Sequence, residues 1–169
     1  MLPTLAAGDF ILADKTAYKK TLFQIGWLSF RDTVASRADI VVFALRHHAF
    51  RKDRPYLIKR VVALPGDTLA MQDGHLVVHP EKLTSLQAES SMPQAYTGIP
   101  GNWHFSYLVP TVQHRHYQPT GTDWGPIVVP EDAYFVLGDN RNESVDSRDF
   151  GFVRSDELEA KFFMLLHWP

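Results

Sequence analysis

The sequence predicts a mainly β fold built from antiparallel sheets. Three observations carry that expectation. Short segments with alternating apolar and polar residues, many of them β-branched or aromatic, recur along the chain. Gly and Pro punctuate them at close intervals. No segment sustains the 3.6-residue apolar period of a long helix.

The elements follow in order. Gly8-Asp9 turns into a strand over 10–13, and 39–45, rich in β-branched residues, is a second. Residues 56–63 form a third. Asp73-Gly74 is a two-residue hairpin signal between strands at 68–71 and 75–78. Further strands are expected at 105–110, 127–129, 134–137 and 162–166. Residues 18–30 suit a helical turn or a loop equally, because Gly26 interrupts mixed apolar spacing. Residues 156–159 suit one helical turn with Ser155 as its cap. The stretch 80–125 is the least periodic and reads as an irregular inserted region within a single domain spanning 1–169.

A chain of 169 residues, 45% hydrophobic with a net charge of −2, is large enough for one domain with a real core. Basic residues are dispersed, and the densest group, Arg46 to Lys52, reads as a solvated loop, so no nucleic-acid partner is expected. Cysteine is absent, which removes disulfides, thiol nucleophiles and thiolate metal sites. His47-His48 and His114-x-His116 lack a neighbouring acid or thiolate, so neither a metal nor any other cofactor is expected. No run of about 18 apolar residues is present to span a bilayer, and Asp9, Asp14 and Lys15 break the apolar start that a secretory leader would need.

Lys59 is the first candidate for chemistry. In a strand over 56–63 it shares a face with Leu57, Val61 and Ala63, while Arg60 shares the other with Ile58 and Val62. If the Lys59 face is turned inward, desolvation disfavours the ammonium. A neutral amine can then take a proton from a hydroxyl nucleophile. From the strand alone, a lysine snorkelling to water is the commoner reading. The second candidate is the polar run from Gly138 to Arg148, which follows an apolar strand. Asp146 and Arg148 are spaced to form a charge-assisted pair that pins the loop, and Asp139 and Arg141 have the same spacing.

Three motifs, taken together, resemble the catalytic domain of type I signal peptidases (leader peptidases), membrane-bound proteases with a Ser-Lys pair. They are Met1-Leu2-Pro3-Thr4-Leu5 with Gly8-Asp9, Tyr56 to Asp67 with Lys59-Arg60 and Pro65-Gly66-Asp67, and Gly138-Asp139-Asn140 with Ser144, Asp146, Ser147 and Arg148. Asn142-Glu143 departs mildly from the usual Asp-Asn. The resemblance implies a signal-peptidase-like catalytic fold with Lys59 as general base and Arg60 as its structural neighbour. It also implies that Ser144 orients the amine and that an Asp146–Arg148 pair supports Ser144. An extended substrate segment would add to the sheet, with Ile11, Tyr56 and Ile58 lining shallow pockets for small side chains.

In that family the nucleophilic serine immediately precedes the Met-x-Pro-Thr-Leu stretch, and part of the oxyanion site lies there too. Met1 takes the place of that Met, so the expectation is a start set downstream of the nucleophile and a chain inactive by itself. Ser90-Ser91-Met92-Pro93 lacks the Pro-Thr-Leu sequel and is no substitute. The implied partners are precursor proteins bearing signal peptides. A membrane would be engaged through an upstream segment, helped by Trp27 and Phe30, because Trp favours the interface. The implied location is the bacterial inner (cytoplasmic) membrane, with the catalytic domain on its periplasmic or outer side. The alternative is a non-catalytic relative that binds extended peptides or proteins.

Overall fold

A computed structural model describes residues 1–18, 34–46, 56–79 and 102–166. Among these residues nine strands form two antiparallel sheets. The larger sheet contains β1 (Phe10–Asp14), β2 (Ile40–Phe43), β3 (Leu57–Ala63), β7 (Ala133–Leu137), β8 (Val153–Arg154) and β9 (Leu158–Leu166). Their order is β1-β9-β2-β3-β7-β8. The smaller contains β4 (Thr68–Gln72), β5 (His75–His79) and β6 (Trp124–Val128), in the order β5-β4-β6. One short helix, α1 (Ser147–Phe150), follows the polar loop after β7.

The sequence of β7 explains the core. Ala-Tyr-Phe-Val-Leu is apolar throughout, and all five residues are buried. Alternation then splits them between two packing layers. Ala133, Phe135 and Leu137 join Val62, Leu69, Met71, Trp124, Ile127 and Phe152, which fills the space between the sheets. Tyr134 and Val136 join Val41, Phe43, Val61, Phe150, Val153 and Leu158 on the opposite face. Truncating a fully buried residue at this junction, such as Phe135, costs about 3–5 kcal/mol.

The Asp73-Gly74 hairpin is present, with φ of 49° and 76° at its two central residues. Both angles are positive, as the twist-compatible tight turn requires. Pro126 is tolerated inside β6 because, among the described residues, β4 is the only strand laddered to it, its other edge carrying just a single bridge from Leu108 to Ile127.

Three expectations are corrected. The strand expected at 105–110 is a 3₁₀ helix over Asn102–Tyr107, followed by a single bridge from Leu108 to Ile127. The alternating aromatics that suggest a strand instead pack around one another: the Trp103 and Tyr107 rings lie 5.3 and 4.8 Å from that of Phe152, each edge-on. Ser155 does not cap a helical turn. Arg154 precedes a 3₁₀ turn over Ser155–Glu157, and the Ser155 hydroxyl donates to the Asp132 carbonyl at 2.8 Å. The last strand begins at Leu158, not at residue 162, since Leu158 and Ala160 fill the core opposite β2. Residues 19–30 of the ambiguous early segment lie outside the described residues.

Candidate active site

Strand β3 sits between β2 and β7, and Lys59 lies just before the point where the β7 pairing begins. Val41 of β2, fully buried, stands directly opposite Lys59, and β7 pairing starts one residue later at Arg60 and Leu137. Leu57 and Ile58 therefore have no β7 partner. The Lys59 amine is half-buried and donates to the Ser144 hydroxyl at 2.9 Å. Those two residues are 85 positions apart in sequence.

Gly138 makes that contact possible. A Cβ there would lie 2.0 Å from the Ser144 Oγ, 2.6 Å from its Cβ and 3.2 Å from the Lys59 Nζ. No side chain fits where the hydroxyl and the amine meet. The sequence alone does not reveal this role, because close approach depends on Lys59, brought in from β3. The same packing places the Ser144 hydroxyl flush against the Gly138 backbone, a position suited to orienting the amine.

The loop is held by charge. Asp146 is fully buried and Arg148 nearly so, and Arg148 Nε donates to Asp146 Oδ1 at 2.8 Å. Asp146 also accepts from the Gly138 amide at 3.1 Å and caps α1 by accepting from the Arg148 amide. Asp149 returns the capping box by accepting from the Asp146 amide at 2.9 Å. Arg148 Nη2 donates to the Arg141 carbonyl at 2.6 Å, and the Ser147 hydroxyl accepts from the Val136 amide at 2.9 Å. Every bond in this set ties the stretch carrying Ser144 either to the end of β7 or to the start of α1.

Asp139 does not pair with Arg141, as their spacing suggests. Arg60 claims it through Nε at 2.8 Å and Nη2 at 2.7 Å, and Thr4 donates its hydroxyl to the same carboxylate. The N-terminal motif, the lysine motif and the Gly138 motif thus meet at one side chain. Burial raises the Asp139 pKa, but the hydrogen bonds from Arg60 and Thr4 outweigh it and leave the carboxyl below its ordinary value. The Asp139 hydrogen bond conversely raises Arg60. The residues before β1 are themselves turned: Leu5 is buried, its amide donates to the Met1 carbonyl at 3.0 Å, and the Asp9 carboxylate accepts from the Ala6 amide at 2.7 Å. Asp67 of the Pro65-Gly66-Asp67 turn holds Arg37 at 2.7 Å, and Arg37 Nη1 reaches the Val62 carbonyl on β3.

Lys59, Ser144, Asp146 and Arg148 are therefore one constellation. Of the residues expected to meet substrate, Tyr56 is exposed just before β3 and Ile58 is half-buried on it. Ile11 is half-buried on β1, which β9 and β2 separate from β3. Ser90, Ser91, Trp27 and Phe30 lie outside the described residues. Among the described residues no group of three or more His, Asp or Glu side chains is arranged to hold a metal ion. An amine fixed by a hydroxyl, which is in turn fixed by a buried ion pair, can exchange a proton at a defined position.

The family model described as signal peptidase, peptidase S26, matches residues 1–168. A probable signal peptidase I-2 of Synechocystis is 31% identical over all of this chain and 59% of its own length. A signal peptidase I of Bacillus caldolyticus is also 31% identical, over all of this chain and 75% of its own length. A crystal structure of a signal peptidase I from Enterococcus faecalis shares 29% identity, with 75% of this chain and 95% of that one covered and a TM-score of 0.43. The chain spans about three fifths of the length of the first of these relatives. With the family model running through all three motifs that meet around Lys59 and Asp139, the chain belongs to the signal peptidase family, peptidase S26.

Proposed function

We propose that this chain is the catalytic domain of a serine endopeptidase that removes signal peptides from exported precursors, with Lys59 as general base. The observation that carries the reading is the Lys59–Ser144 bond at 2.9 Å, seated over Gly138 and backed by Asp146 and Arg148. A lysine with several free rotors makes a poor base until its amine is held in one place. Ser144 supplies that hold, and the ion pair fixes Ser144.

The precursor's extended segment is proposed to lie along the part of β3 that β7 leaves open, at Leu57 and Ile58. Backbone hydrogen bonds there would give affinity, and alternate side chains would face pockets. Tyr56 and Ile58 suit the walls of such pockets. Ile11, with two strands between it and β3, would touch only parts of the peptide farther from the cut bond.

A membrane surface is proposed as the working location, with this domain on the outer side of the bacterial cytoplasmic membrane. No helix among the described residues is long and apolar enough to cross a bilayer. The support is an exposed apolar ribbon: Phe10 and Leu12 on β1 stand opposite Leu166 and Met164 on β9, and all four are exposed. Directly paired residues share a face, so these four form one continuous apolar strip.

The test uses the protein expressed from its complete reading frame in detergent, with precursors carrying an Ala-x-Ala site. Cleavage after that site, lost by at least about a hundredfold in Lys59→Ala and in Lys59→Arg, is expected. The arginine variant tests the base directly, since a guanidinium does not give up its proton. Retained activity in Lys59→Arg refutes the role of the base. Precursor binding without any cleavage supports the peptide-binding alternative.

A further inference from the structure

The 3₁₀ helix Asn102–Tyr107, which the inserted region contributes, meets the end of α1 through Trp103. The contact has two parts. The indole Nε1 donates to the Arg148 carbonyl at 3.4 Å. The ring sits against the Gly151 α-carbon, where a Cβ would come within 3.3 Å of Trp103 Cδ2 and 3.4 Å of its Cγ. Edge-on packing against Phe152 at 5.3 Å holds the same ring from the next residue of the chain. Carbonyls in the last turn of a helix have no amide ahead of them to bond. A donor from another element therefore fixes where α1 ends.

Arg148 carries that contact to the base. Its guanidinium pairs with Asp146 at 2.8 Å, and its Nη2 donates to the Arg141 carbonyl at 2.6 Å and to the Ser144 carbonyl at 3.5 Å. Ser144 in turn accepts from the Lys59 amine at 2.9 Å. Three contacts thus run from the indole N–H to the amine: Trp103 to Arg148, Arg148 to Ser144, and Ser144 to Lys59. The first two are long for hydrogen bonds, so they supply placement more than energy. α1 is gripped at both ends, by Asp146 at its start and by Trp103 near its finish.

We propose that Trp103 is a positioning residue for Lys59: through the Arg148 backbone it fixes the loop that places Ser144 against the amine, and it gives the inserted region 80–125 a part in the chemistry. The inference deepens the reading of Lys59 as base and rests on it, but the bracing of the loop can be read without turnover. The ring also borders a cavity of about 330 Å³, whose rim includes the exposed ion pair of Asp132 and Arg154. That cavity gives a small molecule a way into the indole's place.

The experiment uses Trp103→Phe, which keeps an aromatic ring and removes the N–H, in the protein expressed from its complete reading frame. Its kcat on an Ala-x-Ala precursor should fall about tenfold with KM within about twofold, the pattern of a contact that matters only in the transition state. Phe105→Leu loosens the same 3₁₀ helix from its His104 and Tyr117 side. It should lower the melting temperature and leave kcat within about twofold. An equal fall in kcat for Phe105→Leu overturns the proposal, because the stability of the helix and not the Trp103 contact would then be at work. In Trp103→Ala, added indole should restore most of kcat through the cavity. Benzothiophene, which has the same shape and no N–H, should restore the melting temperature alone. Equal rescue of kcat by both compounds overturns the role of the N–H. If Trp103→Ala fails to fold, Trp103→Phe decides. Hydrogen exchange in the 169-residue protein reads the brace directly. The Gly138 and Arg148 amides, which donate to Asp146 at 3.1 and 3.2 Å, should exchange about tenfold faster in Trp103→Phe, while the Val61 amide of β3 does not change. Unchanged exchange at those two amides, or unchanged kcat in Trp103→Phe, overturns the proposal. Faster exchange in a protein that cleaves no precursor sustains Trp103 as the brace of the loop and removes the peptidase reading.

Discussion

Gly138 and Lys59 share a space that holds only one of two things. It can hold the amine and the Ser144 hydroxyl, or it can hold a methyl group 3.2 Å from that amine and 2.0 Å from that hydroxyl. Gly138→Ala should therefore displace Ser144 and destabilise the domain by about 1–3 kcal/mol, the range for overpacking. Precursor cleavage should fall about a hundredfold or more. Adding Ser144→Gly should restore most of the melting temperature and none of the activity. A fully active Gly138→Ala enzyme would show that the serine and the amine do not need to touch.

Asp146→Ala should be the most damaging single change in the loop. It strands a nearly fully buried Arg148, removes the cap of α1 and frees the Gly138 amide. Breaking a buried pair from one side costs about 3–5 kcal/mol. Chemical denaturation should show a loss well above that of Ser144→Ala, which removes one partly buried hydrogen bond worth about 1 kcal/mol. Equal losses in the two variants would remove the ion pair as the support of the loop.

Acid should undo the Asp139 junction in a defined direction. Its carboxyl titrates below its ordinary value in the fold, despite burial, because Arg60 and Thr4 stabilise the anion. The unfolded chain therefore binds this proton first as pH falls, and the stabilisation present above about pH 4 is lost below it. The stability gap between wild type and Asp139→Asn should be constant from about pH 7 to 5 and narrow below about pH 4. A gap that widens with acid would reverse the sign of the argument.

The exposed ribbon predicts vesicle binding. Leu12→Lys with Met164→Lys should lower co-sedimentation of the folded protein with lipid vesicles about tenfold or more, since each such side chain is worth about 1.5–3 kcal/mol when fully buried. Far-ultraviolet circular dichroism spectra of the variant should match wild type. Undiminished binding would move the contact elsewhere.

Much of the fold follows from short-range signals. β3, β7 and the Asp73-Gly74 hairpin are legible because runs of β-branched and aromatic residues are bounded there by clear turn chemistry. The strand expected at 105–110 misleads because Phe105 and Tyr107 alternate like a strand, while in a 3₁₀ turn the Tyr107 ring packs edge-on against Phe152 and the Phe105 ring packs against His104 and Tyr117. The Asp146–Arg148 pair is readable from spacing, since both lie in one turn. The Arg60–Asp139 pair is not, because 79 residues separate its members and the nearer Arg141 offers a false match. Gly138 shows the same limit: its glycine is required by neighbours that only the folded sheet delivers.

The separation of 85 residues between Lys59 and Ser144 also sets a clock. A chain emerging from its N-terminus exposes the lysine early, but the partner hydroxyl and the β7 strand that carries its loop are made far later. Until then the amine is an ordinary solvated side chain. Under the proposed chemistry, a growing or half-folded copy cannot cut the precursors that surround it, and proteolytic power arrives in one step, with closure of the central sheet.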